Sequence, residues 1–177
     1  MSLANENIEQ LLSLCKQNNQ KAQFEVYTRY CKAMYNVAIR SDFTIKSSDF
    51  KASLVGSGDV KLKIDADSIA TNLSGSGDID LNVNSQILEA NLSGSGDIVL
   101  NGKTKNLVLS VAGSGDIKAF GLHSENSKAT ISGSGNISTT CSEFIEARVA
   151  GSGDIEYKGN PKKIDTKVAG SGKIKMI

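Results

Sequence analysis

From about residue 42 onward, apolar and polar positions alternate with period two, and Gly-Ser-Gly interrupts the alternation at near-constant intervals. The position nearest each interruption is Leu54, Leu73, Leu92, Val111, Ile131, Val149 and Val168 in turn. Two residues upstream stand Ala52, Thr71, Ala90, Leu109, Ala129, Ala147 and Thr166, and two further upstream Phe50, Ile69, Leu88, Leu107, Ser127, Ile145 and Ile164. Between them the chain is polar or charged, as at Lys51, Ser53, Asn72, Glu89, Asn91, Lys128, Glu146, Arg148, Asp165 and Lys167. Such alternation buries one face of a strand and leaves the other in water. A second strand is expected after each interruption. Its inward positions are Val60, Ile79, Ile98, Ile117, Ile137, Ile155 and Ile174, then Leu62, Leu81, Leu100, Ala119, Thr139, Tyr157 and Met176.

The interruptions begin at Gly56, Gly75, Gly94, Gly113, Gly133, Gly151 and Gly170, spaced by 19, 19, 19, 20, 18 and 19 residues. So short and regular a period predicts a solenoid. Each repeat contributes two strands, with Gly-Ser-Gly at one corner and a variable polar stretch at the other. Stacking like residues on like, about 4.8 Å apart, gives a mainly β fold: a single-stranded parallel β-helix of about seven coils. The one-residue variation in coil length suits a right-handed helix.

The corner residues have structural roles in this reading. Gly56, Gly58, Gly75, Gly77, Gly94, Gly96, Gly113, Gly115, Gly133, Gly135, Gly151, Gly153, Gly170 and Gly172 allow positive φ or close approach of stacked backbones. Ser57, Ser76, Ser95, Ser114, Ser134, Ser152 and Ser171 are expected to chain hydroxyl to hydroxyl between coils.

The first forty residues differ. Ile8, Leu11, Leu12 and Cys15 recur at helical spacing behind a candidate cap, Asn5, and Phe24, Tyr27, Cys31, Met34, Tyr35 and Ala38 form a second stripe. Two amphipathic helices over about 7–16 and 20–39 are expected, an α-helical hairpin. The chain thus divides into 1–40 and 41–177. The apolar stripe of the second helix and the open end of a β-helix each need covering, so the hairpin is expected to cap the first coil. Removing residues 1–40 is then expected to bare that end and allow self-association through it.

Composition narrows the function classes. A net charge of +1 and a pI near 7.6 provide no field for nucleic acid, and none is expected as a partner. No apolar run is long enough to span a membrane. The N-terminus shows no basic and apolar leader pattern, so the chain as written reads as cytoplasmic. Cys15, Cys31 and Cys141 have neither disulfide nor zinc spacing and read as reduced, space-filling thiols. His123, the only histidine, reads as part of an exposed turn.

Two resemblances add to this. Lys21-Ala22, Tyr27, Tyr30 and Met34-Tyr35 resemble the start of region 2 of extracytoplasmic-function sigma factors, over about 35 residues. The acidic-aromatic helix and the helix-turn-helix that should follow are replaced by the strand-like Ser41-Asp42-Phe43-Thr44, which implies a truncated or fused fragment. The sevenfold Gly-Ser-Gly corner, mostly continued by Asp-Ile, resembles over about 42–177 the auto-transporter adhesin head GIN domain family. That likeness implies a right-handed β-helix, usually exported to the bacterial envelope, without catalytic residues.

One column is a candidate for chemistry: Asp59, Asp78, Asp97 and Asp116, then Asn136, Asp154 and Lys173. Carboxylates near 5 Å apart repel by roughly 1 kcal/mol in water and about 3–4 kcal/mol at an effective dielectric of 20, so something must offset this. A cation is the functional answer. An Asx-type turn, each carboxylate accepting from an amide two residues on, is the structural one, and Asn136 favours it. Neither the calcium β-roll pattern nor a phosphate loop fits, since a strand follows the glycines. No metal, cofactor or catalytic residue is therefore assigned. The leading expectation is a non-enzymatic, adhesin-like β-helix binding a protein or glycan. A sigma-like regulator and a polysaccharide-active enzyme are the alternatives.

Overall fold

The computed structural model describes residues 44–177, and nine strands take up nearly all of them. They are β1 (Thr44–Gly56), β2 (Asp59–Gly75), β3 (Asp78–Gly94), β4 (Ile98–Gly113), β5 (Ile117–Gly133), β6 (Ile137–Gly151), β7 (Ile155–Lys158), β8 (Lys163–Gly170) and β9 (Ile174–Met176). The expected hairpin over 7–39, its sigma-factor-like pattern and its capping role lie outside the described residues, as do Cys15 and Cys31.

All pairings are parallel, in the order β1-β2-β3-β4-β5-β6-β7-β9, with β8 on β6. Consecutive parallel strands cannot be joined by a hairpin turn. Here each strand bends and makes the circuit itself, so the chain winds as a solenoid of about seven turns. Register follows the repeat: Ile79 pairs Ile98, Ile98 pairs Ile117, and Ile117 pairs Ile137. The isoleucine, leucine and valine columns thereby become continuous interior ladders, with Ile98, Leu100, Ile117 and Ile137 fully buried. Full burial of such a side chain contributes roughly 1.5–3 kcal/mol.

The division into two strands per coil is corrected. From β2 to β6 each coil is one ladder of 15–17 residues, because the variable polar stretch also alternates and stays paired. It supplies a further inner wall that includes Ile64, Ala66, Val83, Leu122 and Cys141, all buried. Only the last coil divides, at Gly159–Lys162, where Pro161 offers no amide to a ladder. The buried Cys141 thiol is pushed up to about 11 by desolvation, in keeping with an inert space-filler.

The outermost inward columns are also corrected. Ile164, Val168 and Met176 are 49%, 42% and 59% exposed, because β8 and β9 are each paired on one side only. Phe50, Leu54, Val60 and Leu62 in the first coils are partly buried against the core.

Two polar exceptions in the core columns find each other. Ser127 stands where its neighbours carry leucine or isoleucine, and Thr139 takes a position held by leucine in earlier coils. Both are buried, and their hydroxyls lie 3.1 Å apart across the interior. Ser85 Oγ similarly donates to Thr104 Oγ1 at 3.0 Å. Thr71 Oγ1 is buried without a partner.

Replacing Ile98 by Ala removes a side chain held between Ile79 and Ile117, where the stacked coils prevent collapse. It should cost about 2–5 kcal/mol in urea melts. Glu89→Ala, on the exposed face of β3, should change stability by no more than about 0.5 kcal/mol. Equal costs would mean that the faces are reversed.

Candidate functional site

The repeated corners are built from the backbone outward. The Gly75 carbonyl accepts both the Ser95 amide at 2.9 Å and the Gly96 amide at 3.2 Å, and the same fork recurs from Gly56 to Gly151. The first glycine of each corner has positive φ, 136° at Gly94. The second is required by proximity: a Cβ on Gly96 would run into the Gly77 carbonyl oxygen. The serines are exposed, and it is their amides that join the coils, in place of the expected chain of hydroxyls.

The acidic column is a hydrogen-bond ladder of a kind the Asx-turn expectation did not describe. Asp78 Oδ1 accepts from the Asp97 amide at 2.9 Å, and Asp97 Oδ1 from the Asp116 amide at 3.1 Å. Asp116 Oδ1 accepts from the Asn136 amide, Asn136 Oδ1 from the Asp154 amide, and Asp154 Oδ1 from the Lys173 amide, at 2.8–2.9 Å. The acceptor therefore serves the equivalent residue one coil on, not an amide two residues on. Asn136 continues the ladder through its carboxamide oxygen, and its Nδ2 also donates to Asp116 Oδ1 at 3.0 Å. Asp59 stands apart, since the Asp78 amide donates to the Gly58 carbonyl at 3.2 Å.

Lys118 adds a cation beside this ladder, donating to Asp97 Oδ2 at 2.6 Å. Desolvation pushes the Asp97 carboxyl up, but the Lys118 ammonium and the Asp116 amide outweigh it and hold it below its ordinary value. No group of three or more histidine, cysteine, aspartate or glutamate side chains converges as a metal site among the described residues. The outer face carries further coil-to-coil pairs: Lys61–Asp80 at 2.6 Å, Lys175–Glu156 at 2.8 Å and Arg148–Asp165 at 2.6 Å. His123 is exposed, on β5 rather than in a turn.

The repeat is broken along β5, whose pairing shifts once against β4 and twice against β6. Between Val99 and Asn101 the register of β4 and β5 shifts, so that Ala119 and Phe120 together oppose Leu100. This is a β-bulge, an extra residue that locally re-aims side chains. Ala119 stays buried, while Phe120 and Gly121 both lie on the outer side. A shallow depression lies over the bulge, lined among others by Val99, Asn101, Lys118, Phe120, Ser138 and Glu156. The repeat carries its trace: the coil from Gly113 to Gly133 is the one 20-residue spacing, and an 18-residue spacing follows it.

The fold and its corners define a parallel β-solenoid joined by a glycine-gated Asp/Asn ladder. Residues 15–161 match the family described as "Putative auto-transporter adhesin, head GIN domain", and the chain belongs to that family. The match begins within the stretch expected to be the helical hairpin. Among solved structures, a "putative lipid binding protein" from Parabacteroides distasonis is similar at 31% identity and a TM-score of 0.69. The alignment covers 76% of this chain and 58% of that one. A "putative adhesin" from Bacteroides fragilis is similar at 20% identity and a TM-score of 0.61, over 75% of this chain and 93% of that one. Another from Parabacteroides distasonis shows 27% identity and a TM-score of 0.59, over 76% and 63%. No curated protein matches the sequence. The family description is that of an adhesin rather than an enzyme, and no helix among the described residues is long and apolar enough to cross a membrane.

The ladder carboxylates are engaged by amides, and the asparagine in their column accepts equally well. Calorimetry with calcium should therefore detect no binding tighter than millimolar. Micromolar binding abolished by Asp78→Asn with Asp97→Asn would make the column a cation site. The lowered Asp97 carboxyl also sets a pH dependence. Its folded value lies below its unfolded one, so its stabilisation is present above about pH 4 and is lost as pH falls through the folded value. Urea melts between pH 6 and 2 should show a decline confined to the acid side, smaller in Asp97→Asn; an unchanged decline in that variant would remove Asp97 from the account.

Proposed function

We propose that this chain is a non-enzymatic, adhesin-like binding module of the bacterial cell envelope that holds a protein or glycan ligand on the outer face of its solenoid. The observation that carries this reading is the engagement of the repeated Asp/Asn column in the backbone ladder, which leaves recognition to outward side chains that do not repeat. Membership of the adhesin family supports it. In this reading residues 41–177 are the binding module.

Two rival chemistries are less well supported. A buried acyl chain would need an apolar cavity, whereas the interior here is filled by stacked isoleucine, leucine and valine. Glycoside hydrolysis needs two carboxyls flanking a sugar bond, one able to donate a proton. Asp78, Asp97 and Asp116 instead accept from backbone amides.

The test is to present the purified full chain to immobilised extracellular-matrix proteins and to a printed oligosaccharide array, and to assay the bound glycans for new reducing ends. Retention of at least one protein or glycan without hydrolysis is expected. Retention of none, or release of reducing ends, would overturn the proposal.

A further inference from the structure

We infer that the last coil of one chain seats on the first coil of a second copy, so that copies stack head to tail into a continued solenoid. This is independent of the adhesin reading, which concerns what the outer face holds. Among the described residues β1 pairs only with β2, β8 only with β6 and β9 only with β7. Strand edges left open in this way are templates for another strand. Apolar exposure gathers at the same two ends. Of the exposed large hydrophobic residues, Val55 lies on β1, and Ile164, Val168, Met176 and Ile177 lie in the last coil; Ile87 alone falls between, among the described residues.

Laying Gly170 on Gly56 continues the register inside the chain, where corner glycine lies on corner glycine. The Gly170 carbonyl then takes the Ser57 and Gly58 amides of the second copy, as the Gly151 carbonyl takes those of Ser171 and Gly172. Ile164 falls beside Phe50, Val168 beside Leu54, Ile174 beside Val60 and Met176 beside Leu62, so the inward columns run on. Charge favours the same register. Within the chain, register partners of opposite sign form ion pairs, Lys61 with Asp80 at 2.6 Å and Glu156 with Lys175 at 2.8 Å. Across the new contact the partners are Lys163 and Asp49, Asp165 and Lys51, and Lys173 and Asp59. Apart from Asp165, which Arg148 holds, none of these has an ion-pair partner among the described residues. Asp59 is also the carboxylate that the corner ladder leaves out, since the Asp78 amide goes to the Gly58 carbonyl. Lys175 would face Lys61, but each already holds a carboxylate of its own chain. Two last coils set against each other are disfavoured, because Lys162, Lys163, Lys167, Lys173 and Lys175 stand there against Asp165 alone.

Sedimentation velocity of the full chain over a concentration series tests this. A head-to-tail contact leaves a free edge at each end, so the mass should rise with concentration beyond a dimer. Lys163→Glu with Lys173→Glu at the tail, and Asp49→Lys with Asp59→Lys at the head, should each weaken association about ten-fold or more. All four positions are exposed, so thermal melts of the dilute variants should be unchanged. Mixing the two variants should restore assembly, because each reversed end then meets its complement; a folding defect would not be repaired by mixing. Assembly that stops at a dimer and ignores the head variant would overturn the inference in favour of a tail-to-tail contact. The hairpin expected over 7–39 would compete for the first-coil edge, so a full chain that stays monomeric at every concentration would also overturn it. Neither result touches the adhesin reading, whose readout is ligand retention.

Discussion

The structure depends on one constraint: stacked backbones must stay a strand spacing apart even where they turn. Along the straight runs this is met by ordinary parallel pairing. At the corner the Gly75 carbonyl takes two amides from the coil above, and the stacked carbonyls leave no volume for a Cβ on Gly94 or Gly96. The amide that follows, on Asp97, is taken by the Asp78 carboxylate. Each corner amide thus has a partner in the adjoining coil, so glycine, glycine and Asp or Asn belong to one solution. The mutual repulsion of stacked carboxylates is offset by the same bonds, and at Asp97 by the Lys118 ammonium.

Much of this was legible in the chain. Period-two alternation interrupted every 19 residues or so specifies both the inward faces and the stacking of like on like, and the register of β2 through β6 follows it. The corner glycines were legible as backbone residues for the same reason. Which group satisfies which amide was not. An Asx turn and a coil-to-coil ladder require the same residue types at the same spacing, and only the path of the backbone separates them. The serines illustrate this: their recurrence suggested hydroxyl ladders, whereas their exposed side chains leave the joining to the amide.

The additional inner wall was present in the sequence and passed over. Lys63-Ile64-Asp65-Ala66 and Asn82-Val83-Asn84-Ser85 keep the alternation going, but their small or hydroxyl-bearing residues read as a turn. Ser85 and Thr104 show why such residues are tolerated inside: each hydroxyl finds the other. Ser127 and Thr139 were visible as exceptions to two separate columns. Their pairing was not, because it crosses the interior between columns that no sequence alignment places side by side.

A repeating lattice distributes its polar groups by symmetry, so a carboxylate or carboxamide that recurs in successive coils can take its partner from the next. The carboxylates show this along the corner, and Asn72, Asn91, Asn106 and Asn126 show it on the outer face, where Asn91 donates to Asn72 and Asn126 to Asn106. Where the period fails, that matching of one coil to the next is interrupted. In this chain the failure is the 20-residue spacing followed by one of 18 residues. It opens the ladder beside Leu100 and Ala119, and the shift in register carries Phe120 out of the repeat. The inward side absorbs the same insertion, since Ala119 and Leu122 remain fully buried on either side of it. The solenoid can therefore vary its outer surface one coil at a time without disturbing the core that holds it together.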